Sequence, residues 1–311
     1  MDNWIERDKK SIWHPFTPLK GMDDSLMIER AEGVKLFTNQ GTQILDVISS
    51  WWVNIHGHAH PKLAEAIATQ AGKLEHVIFA GFTHQPAIEL AERLLEILPE
   101  KQAKVFYSDN GSTAVEVAIK MAFQYFYNKG IKKQKIIAIE GAYHGDTFGA
   151  MSVGDRGPFT EPFDPYLFEV EFLSFPHAEK EAEVWAHFES IIASGDVAAF
   201  IFEPIVQGAA GMQFYSAELL DRMINLAQAN QVICIADEVM TGFGRLGPLF
   251  AADLLQHKPD IMCLSKGLTG GALPMGVTTC TEEIQQAYRS NDLMKTFFHG
   301  HSFTGNPIIA A

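Results

Sequence analysis

Val232-Ile233-Cys234-Ile235-Ala236-Asp237-Glu238 is a run of five apolar residues that ends abruptly in two carboxylates. A segment apolar at both odd and even positions reads as a strand covered on both faces, the condition met in a parallel sheet flanked by helices. Outward from it, the same texture recurs at Ala103–Tyr107, Lys135–Ile139, Ala198–Phe202 and Ile261–Leu264. Between these runs, helical spacing predicts helices over Pro61–His76, Pro86–Leu98, Thr113–Lys129, Ala178–Ala193 and Ser216–Gln228. Strands alternating with helices define an α/β fold with a mostly parallel central sheet and flanking helices. Strands ending at Tyr107, Ile139, Phe202, Ala236 and Leu264 are expected in one sheet. The first fifty residues differ, with a helix near Trp4–Trp13 and short strands near Leu26–Arg30, Val34–Thr38 and Gln43–Val47. The expected division is residues 1–50 in a small domain and 51–311 in a large one.

The 311 residues hold 24 Lys+Arg against 38 Asp+Glu, a net charge of −14. Such a balance repels polyanions, which excludes nucleic-acid binding through a broad basic surface and disfavours an anionic membrane. Cys234, Cys263 and Cys280 lie in apolar runs without a C-x-x-C, so they read as buried thiols rather than a redox or metal set. The N-terminus mixes both charge signs and has no signal-peptide core. No apolar run approaches the roughly 20 residues needed to span a bilayer, and a cytoplasmic location is expected.

In sheets of this kind ligands bind beyond the carboxyl ends of the strands. Asn110-Gly111-Ser112-Thr113 follows one strand, and Thr113-x-x-Glu116 fits a capping box. Gly111 and Ser112 then fall just before the helix, where free N–H groups and the macrodipole favour an anion, although any well-capped helix begins in this way. Asp237 ends another strand, and Lys266 follows a further one twenty-nine residues on. A strand-end lysine alone can snorkel to solvent. Together, however, a lysine, a carboxylate and an anion site match what pyridoxal phosphate requires, and Tyr143 can lie flat against its ring.

Other patterns carry less. His56-Gly57-His58-Ala59-His60 has metal-ligand spacing on a strand, but Gly57 and Pro61 favour a turn, and no metal is expected. Gly242-x-Gly244-x-x-Gly247 opens no amphipathic helix and is followed by Pro248, against a dinucleotide site. No G-x-S-x-G elbow is present. Glu203 and Gln207 read either as core-edge polar groups or as contacts on the cofactor side, with the second favoured.

Ile235–Arg245, followed by Asp260–Gly267, resembles the signature of the class III aminotransferases, which are fold-type I pyridoxal-phosphate enzymes. Trp13–Thr17, Ser49–Trp52 with His56-Gly57, Thr83–Ala87, Tyr143–Ser152, Glu203–Ala209 and His299–Pro307 resemble one branch of that family. In biotin biosynthesis this branch passes the amino group of S-adenosylmethionine to 8-amino-7-oxononanoate.

The resemblance implies that Lys266 is the Schiff-base lysine, Asp237 the pyridinium partner, and Gly111 with Ser112 the phosphate pair. It implies that Tyr143 stacks near the ring and touches substrate, that Trp51 and Trp52 wall the substrate pocket, and that Gly300 contacts substrate. His301 and Ser302 correspond to positions that cross a homodimer to the neighbouring subunit's phosphate, so that active sites are shared. The family usually has Pro-Thr there; Ser302 keeps the hydroxyl, and the role of His301 stays open. Phe16 replaces a usual Tyr of the substrate pocket, which leaves lysine open as an alternative amino donor. The chain stops at Ala311, before the family's usual end, which implies a truncated small domain lacking the carboxylate-binding arginine. Two further readings stand beside this one: a transaminase of ω-amino acids, and an inactive truncated binding protein.

Overall fold

Strands without a polar face must be covered on both sides, and the computed structural model, which describes residues 3–21 and 23–311, shows what covers them. Met1, Asp2 and Met22, assigned above to the N-terminal segment, lie outside the described residues.

Helix α1 (Trp4–Ser11) is capped by Asn3, whose side chain accepts from the Glu6 amide at 3.3 Å. Strands β1 (Ile28–Glu32), β2 (Lys35–Thr38) and β3 (Gln43–Leu45) form an antiparallel sheet of their own. A single left-handed turn follows at Ser49–Trp52 (α2). Next come α3 (Pro61–Ala71), α4 (Gln85–Ile97), β4 (Gln102–Ser108), α5 (Gly111–Lys129), β5 (Lys135–Ile139), α6 (Phe148–Ser152) and β6 (Glu171–Leu173). The chain continues through α7 (Glu181–Ile192), β7 (Val197–Phe202), the small hairpin β8 (Val206–Gln207) and β9 (Gln213–Phe214), and α8 (Ala217–Ala229). It then forms β10 (Ile233–Asp237), β11 (Ile261–Leu264) and β12 (Gly276–Thr281).

The central sheet has seven strands in the order β4-β12-β11-β10-β7-β5-β6. The five strands expected from their apolar runs are all in it. Only β12 runs antiparallel to its neighbours β11 and β4. Its sequence, Gly276-Val277-Thr278-Thr279-Cys280-Thr281, is too polar to register as a buried run. The burial succeeds because Thr278 Oγ1 donates to the Ala114 carbonyl at 2.7 Å and Thr279 Oγ1 to Gln102 Oε1 at 2.7 Å.

Alternate residues of each central strand feed two separate cores. Phe200, Phe202, Cys234, Ala236, Met262 and Leu264 pack against α4, α7 and α8. Ile201, Ile233, Ile235, Ile261 and Cys263 pack against α5. All three cysteines are buried and free. Fully burying a side chain of this size contributes about 1.5–3 kcal/mol, so the double-sided strands anchor the fold.

One expectation is corrected. The cap of α5 is Asn110, not Thr113: Asn110 Oδ1 accepts from the Thr113 amide at 3.0 Å, and Thr113 Oγ1 accepts from the Asn110 amide at 3.1 Å. Asn caps at least as well as Thr. The earlier start puts Gly111 and Ser112 inside the first turn and frees Glu116, which accepts from the Gly149 and Ala150 amides at 2.7 and 3.1 Å. A smaller correction concerns residues 178–193, where a 3-10 turn at Ala178–Lys180 precedes the α-helix proper.

Candidate active site

Because β10 and β11 are adjacent and parallel, Asp237 and Lys266 leave the sheet at the same edge. The segments after β4, β5 and β7 arrive there too. They enclose a cavity of about 380 Å³ lined by Trp52, Gly111, Ser112, Tyr143, His144, Glu203, Asp237 and Lys266, among others.

Asp237, the buried last residue of β10, accepts from the Val239 amide at 3.0 Å through Oδ1. Its Oδ2 lies 2.7 Å from Nδ1 of His144, a buried imidazole whose Nε2 has no partner among the described residues. An ionised carboxylate only accepts, so the His144 Nδ1–H donates. Glu203, at the end of β7, accepts from the Tyr143 amide at 3.1 Å and the Gly208 amide at 2.9 Å. Burial raises its pKa to about 6, with Asp237 adding to the shift and His144 opposing it.

Lys266 opens a 3-10 turn after β11 with a φ of 48°. Its Nζ stands 4.7 Å from the centroid of the Trp52 ring. Burial lowers its pKa, outweighing the opposing influence of Asp237 and Glu203. A larger share of the amine is therefore free near neutral pH than for an exposed lysine.

Gly111 and Ser112 present the unpaired amides of a nineteen-residue helix. Ser112 Oγ accepts from the Asp146 amide at 3.2 Å, which leaves its own O–H free to donate. A Cβ on Gly145, where φ is 125°, would sit 2.1 Å from Ser112 Oγ, and one on Gly111 would meet Val239 Cγ1 at 2.8 Å. The backbone is thus drawn in to a concave donor set that side chains would fill. Such a cradle, with a buried acid on one strand end and an amine on the next, fits pyridoxal phosphate. Tyr143 is half exposed and donates to Asp146 Oδ2 at 2.9 Å; burial, then Asp146, push its pKa above the ordinary phenol value.

The other expected site residues lie elsewhere. Trp51 is 58% exposed and turned away from the cavity, with Phe16 edge-on at 5.9 Å between centroids. Phe16 is 68% exposed and touches Phe159 on its other side. Gly300, His301 and Ser302 do not line this chain's own cavity. Of the imidazoles in the 56–60 stretch, His58 is held by Asp46 and Asn54. Sequence reasoning assigned His144 no role. The signal was present in part, since a buried strand-end Asp needs a partner and His144 follows the end of β5, although β7 lies between β5 and β10 in the sheet.

Residues 20–311 match the family described as aminotransferase class-III. The chain belongs to that family of pyridoxal-phosphate-dependent aminotransferases. It is 52% identical to the adenosylmethionine-8-amino-7-oxononanoate aminotransferase of Synechococcus elongatus, over 96% of this chain and 72% of that one. The crystal structure of the enzyme of that name from Methanocaldococcus jannaschii superposes with a TM-score of 0.93 at 40% identity, covering 99% of this chain and 72% of the other. The omega transaminase from Pseudomonas jessenii in complex with PMP also reaches 0.93, at 27% identity, over 98% of this chain and 72% of its own. Among the described residues no helix is long and apolar enough to cross a membrane.

Proposed function

We propose that this chain transfers the amino group of S-adenosylmethionine to 8-amino-7-oxononanoate, giving 7,8-diaminononanoate in biotin biosynthesis. The observation that carries the reading is the meeting of Asp237, Lys266 and the Gly111-Ser112 amides around one cavity with Trp52 over the amine. The 52% identity to the Synechococcus enzyme supports this substrate pair over ω-amino acids.

Pyridoxal phosphate, when bound, supplies an electron sink for the pair left behind when the substrate Cα–H bond breaks. Gly111 and Ser112 would hold its phosphate, and Tyr143 would lie against its ring. Asp237, oriented by His144 and the Val239 amide, would pair with the pyridine nitrogen of the bound cofactor. Lys266, favoured as a free amine by burial, would hold the cofactor and serve as the base that takes the proton from the substrate Cα. Trp52 covers the amine and keeps water from it.

The enzyme acts as a cytoplasmic homodimer in which Ser302, with His301 beside it, reaches the neighbouring subunit's phosphate. The exposure of Ser302 and its distance from this chain's own cavity support shared sites. The separate β1–β3 sheet supports a small domain over residues 1–50 packed on a large domain over 51–311.

The test is to supply the purified chain with pyridoxal phosphate, 8-amino-7-oxononanoate and one amino donor, and to detect diaminononanoate by mass spectrometry. Product from S-adenosylmethionine is expected. Product from lysine alone refutes the donor. Absence of product with both donors, alongside turnover of 4-aminobutyrate or ornithine, overturns the substrate assignment.

A further inference from the structure

Trp52 owes its place to a backbone shape that its own sequence disfavours. Ser49, Ser50, Trp51 and Trp52 have φ values of 49°, 48°, 65° and 66°, a full left-handed turn built without glycine. Residues with a Cβ resist this region, so groups outside the turn must hold it.

Those groups are Asp46 and His58. Asp46 Oδ1 accepts from the Ser50 amide at 2.9 Å, and Oδ2 accepts from Ser50 Oγ at 2.7 Å. His58 Nε2 lies 2.8 Å from Asp46 Oδ2, while its Nδ1 is 2.9 Å from Asn54 Nδ2. An amide nitrogen only donates, so Nδ1 accepts and Nε2 carries the proton to Asp46. The Asp46 side chain is 5% exposed and that of His58 16%. Burial alone would favour a neutral Asp46, but the bonds from Ser50 and His58 hold its pKa at about 2. The pair is anchored in turn to the small sheet: the His58 amide donates to the Gly33 carbonyl at 2.8 Å and the Asp46 amide to the Val34 carbonyl at 2.9 Å. From the far side, Arg245 Nη2 donates to the Trp52 carbonyl at 3.0 Å.

We propose that Asp46 and His58 are positioning residues for amino transfer: they clamp the left-handed turn and so hold the Trp52 indole over the Lys266 amine. Trp51 and Trp52 are chain neighbours, yet one faces out and the other in, and relaxation of the turn exchanges or withdraws them. The proposal deepens the functional reading above and rests on it for the reaction that is timed.

The test is a double-mutant cycle between Asp46→Ala and Trp52→Ala in the pyridoxal-phosphate-loaded protein. Asp46→Ala is expected to lower kcat/KM ten- to a hundredfold, and to lower it no further once Trp52 is already alanine. His58→Ala should act in the same sense, three- to tenfold. His58→Gln, which can still donate to Asp46, should restore most of that loss.

On the protein without cofactor, the near-ultraviolet circular dichroism of Trp52 is the difference between wild type and Trp52→Phe. It should vanish in Asp46→Ala. This readout stands even if wild type fails to turn over, so failure of the clamp and failure of the functional reading are told apart. If Asp46→Ala does not fold, His58→Ala and Ser50→Ala carry both comparisons. An equal loss of kcat/KM in both Trp52 backgrounds, or a Trp52 dichroic signal unchanged by loss of the clamp, overturns the proposal.

Discussion

His144 Nδ1 stands 2.7 Å from Asp237 Oδ2, and this imidazole, carried by the loop after β5, completes a carboxylate carried by β10. Hydrogen bonds to ionised groups are worth about 1.5–3 kcal/mol. His144→Phe should therefore lower kcat by about 10- to 100-fold while cofactor binding through the phosphate cradle persists. Steady-state kinetics beside a pyridoxal-phosphate titration checks this; unchanged kcat would show that Asp237 needs no such partner.

Lys266→Ala removes the only amine the cavity offers among the described residues. A positioned acid–base group contributes about 10²–10⁴-fold, so turnover should fall by at least that factor. Retention of wild-type turnover would refute the role proposed for Lys266.

The phosphate cradle is tested at Gly145, where an added Cβ would overlap Ser112 Oγ at 2.1 Å and φ is 125°. Gly145→Ala should weaken pyridoxal phosphate binding at least tenfold and cost about 1–3 kcal/mol of stability. Equilibrium titration of the cofactor measures the first effect and denaturant unfolding the second.

Glu203, Glu238 and Asp260 have folded pKa values raised, chiefly by burial, to about 6, 7 and 6. Their unfolded values lie lower, so the folded state binds more protons between the two. The stability they contribute is fully present below the unfolded values near pH 4 and is lost as pH rises through 6–7. Urea unfolding of the protein without cofactor should give a free energy roughly 3 kcal/mol lower at pH 8 than at pH 5.5. A rise over that interval would mean that these carboxylates are ionised in the folded state throughout.

The strands of the central sheet were legible because burial on both faces leaves a local mark, an unbroken apolar run such as Val197–Phe202. Strand β12 left none. Its threonines are buried only because partners from α5 and β4 satisfy their hydroxyls, and those partners lie far away in sequence. The start of α5 was misplaced by three residues because Asn110 and Thr113 are both competent caps, and the choice depends on where Glu116 finds its own amides.

What the sequence by itself determined was the α/β class and the kinds of groups at the strand ends: Asp237, Lys266, Gly111, Ser112 and Tyr143. Chain direction and the carboxyl-edge rule suffice for that much. Only the tertiary structure decided that β10 lies beside β11, which brings Asp237 and Lys266 to one cavity. It alone decided that His144 serves Asp237 and that Trp52, not Trp51, faces the lysine. The physical reason is that side-chain direction at Ser49–Trp52 follows from a left-handed turn held by Asp46 and His58, and a contact between distant residues has no signature in the local pattern of either.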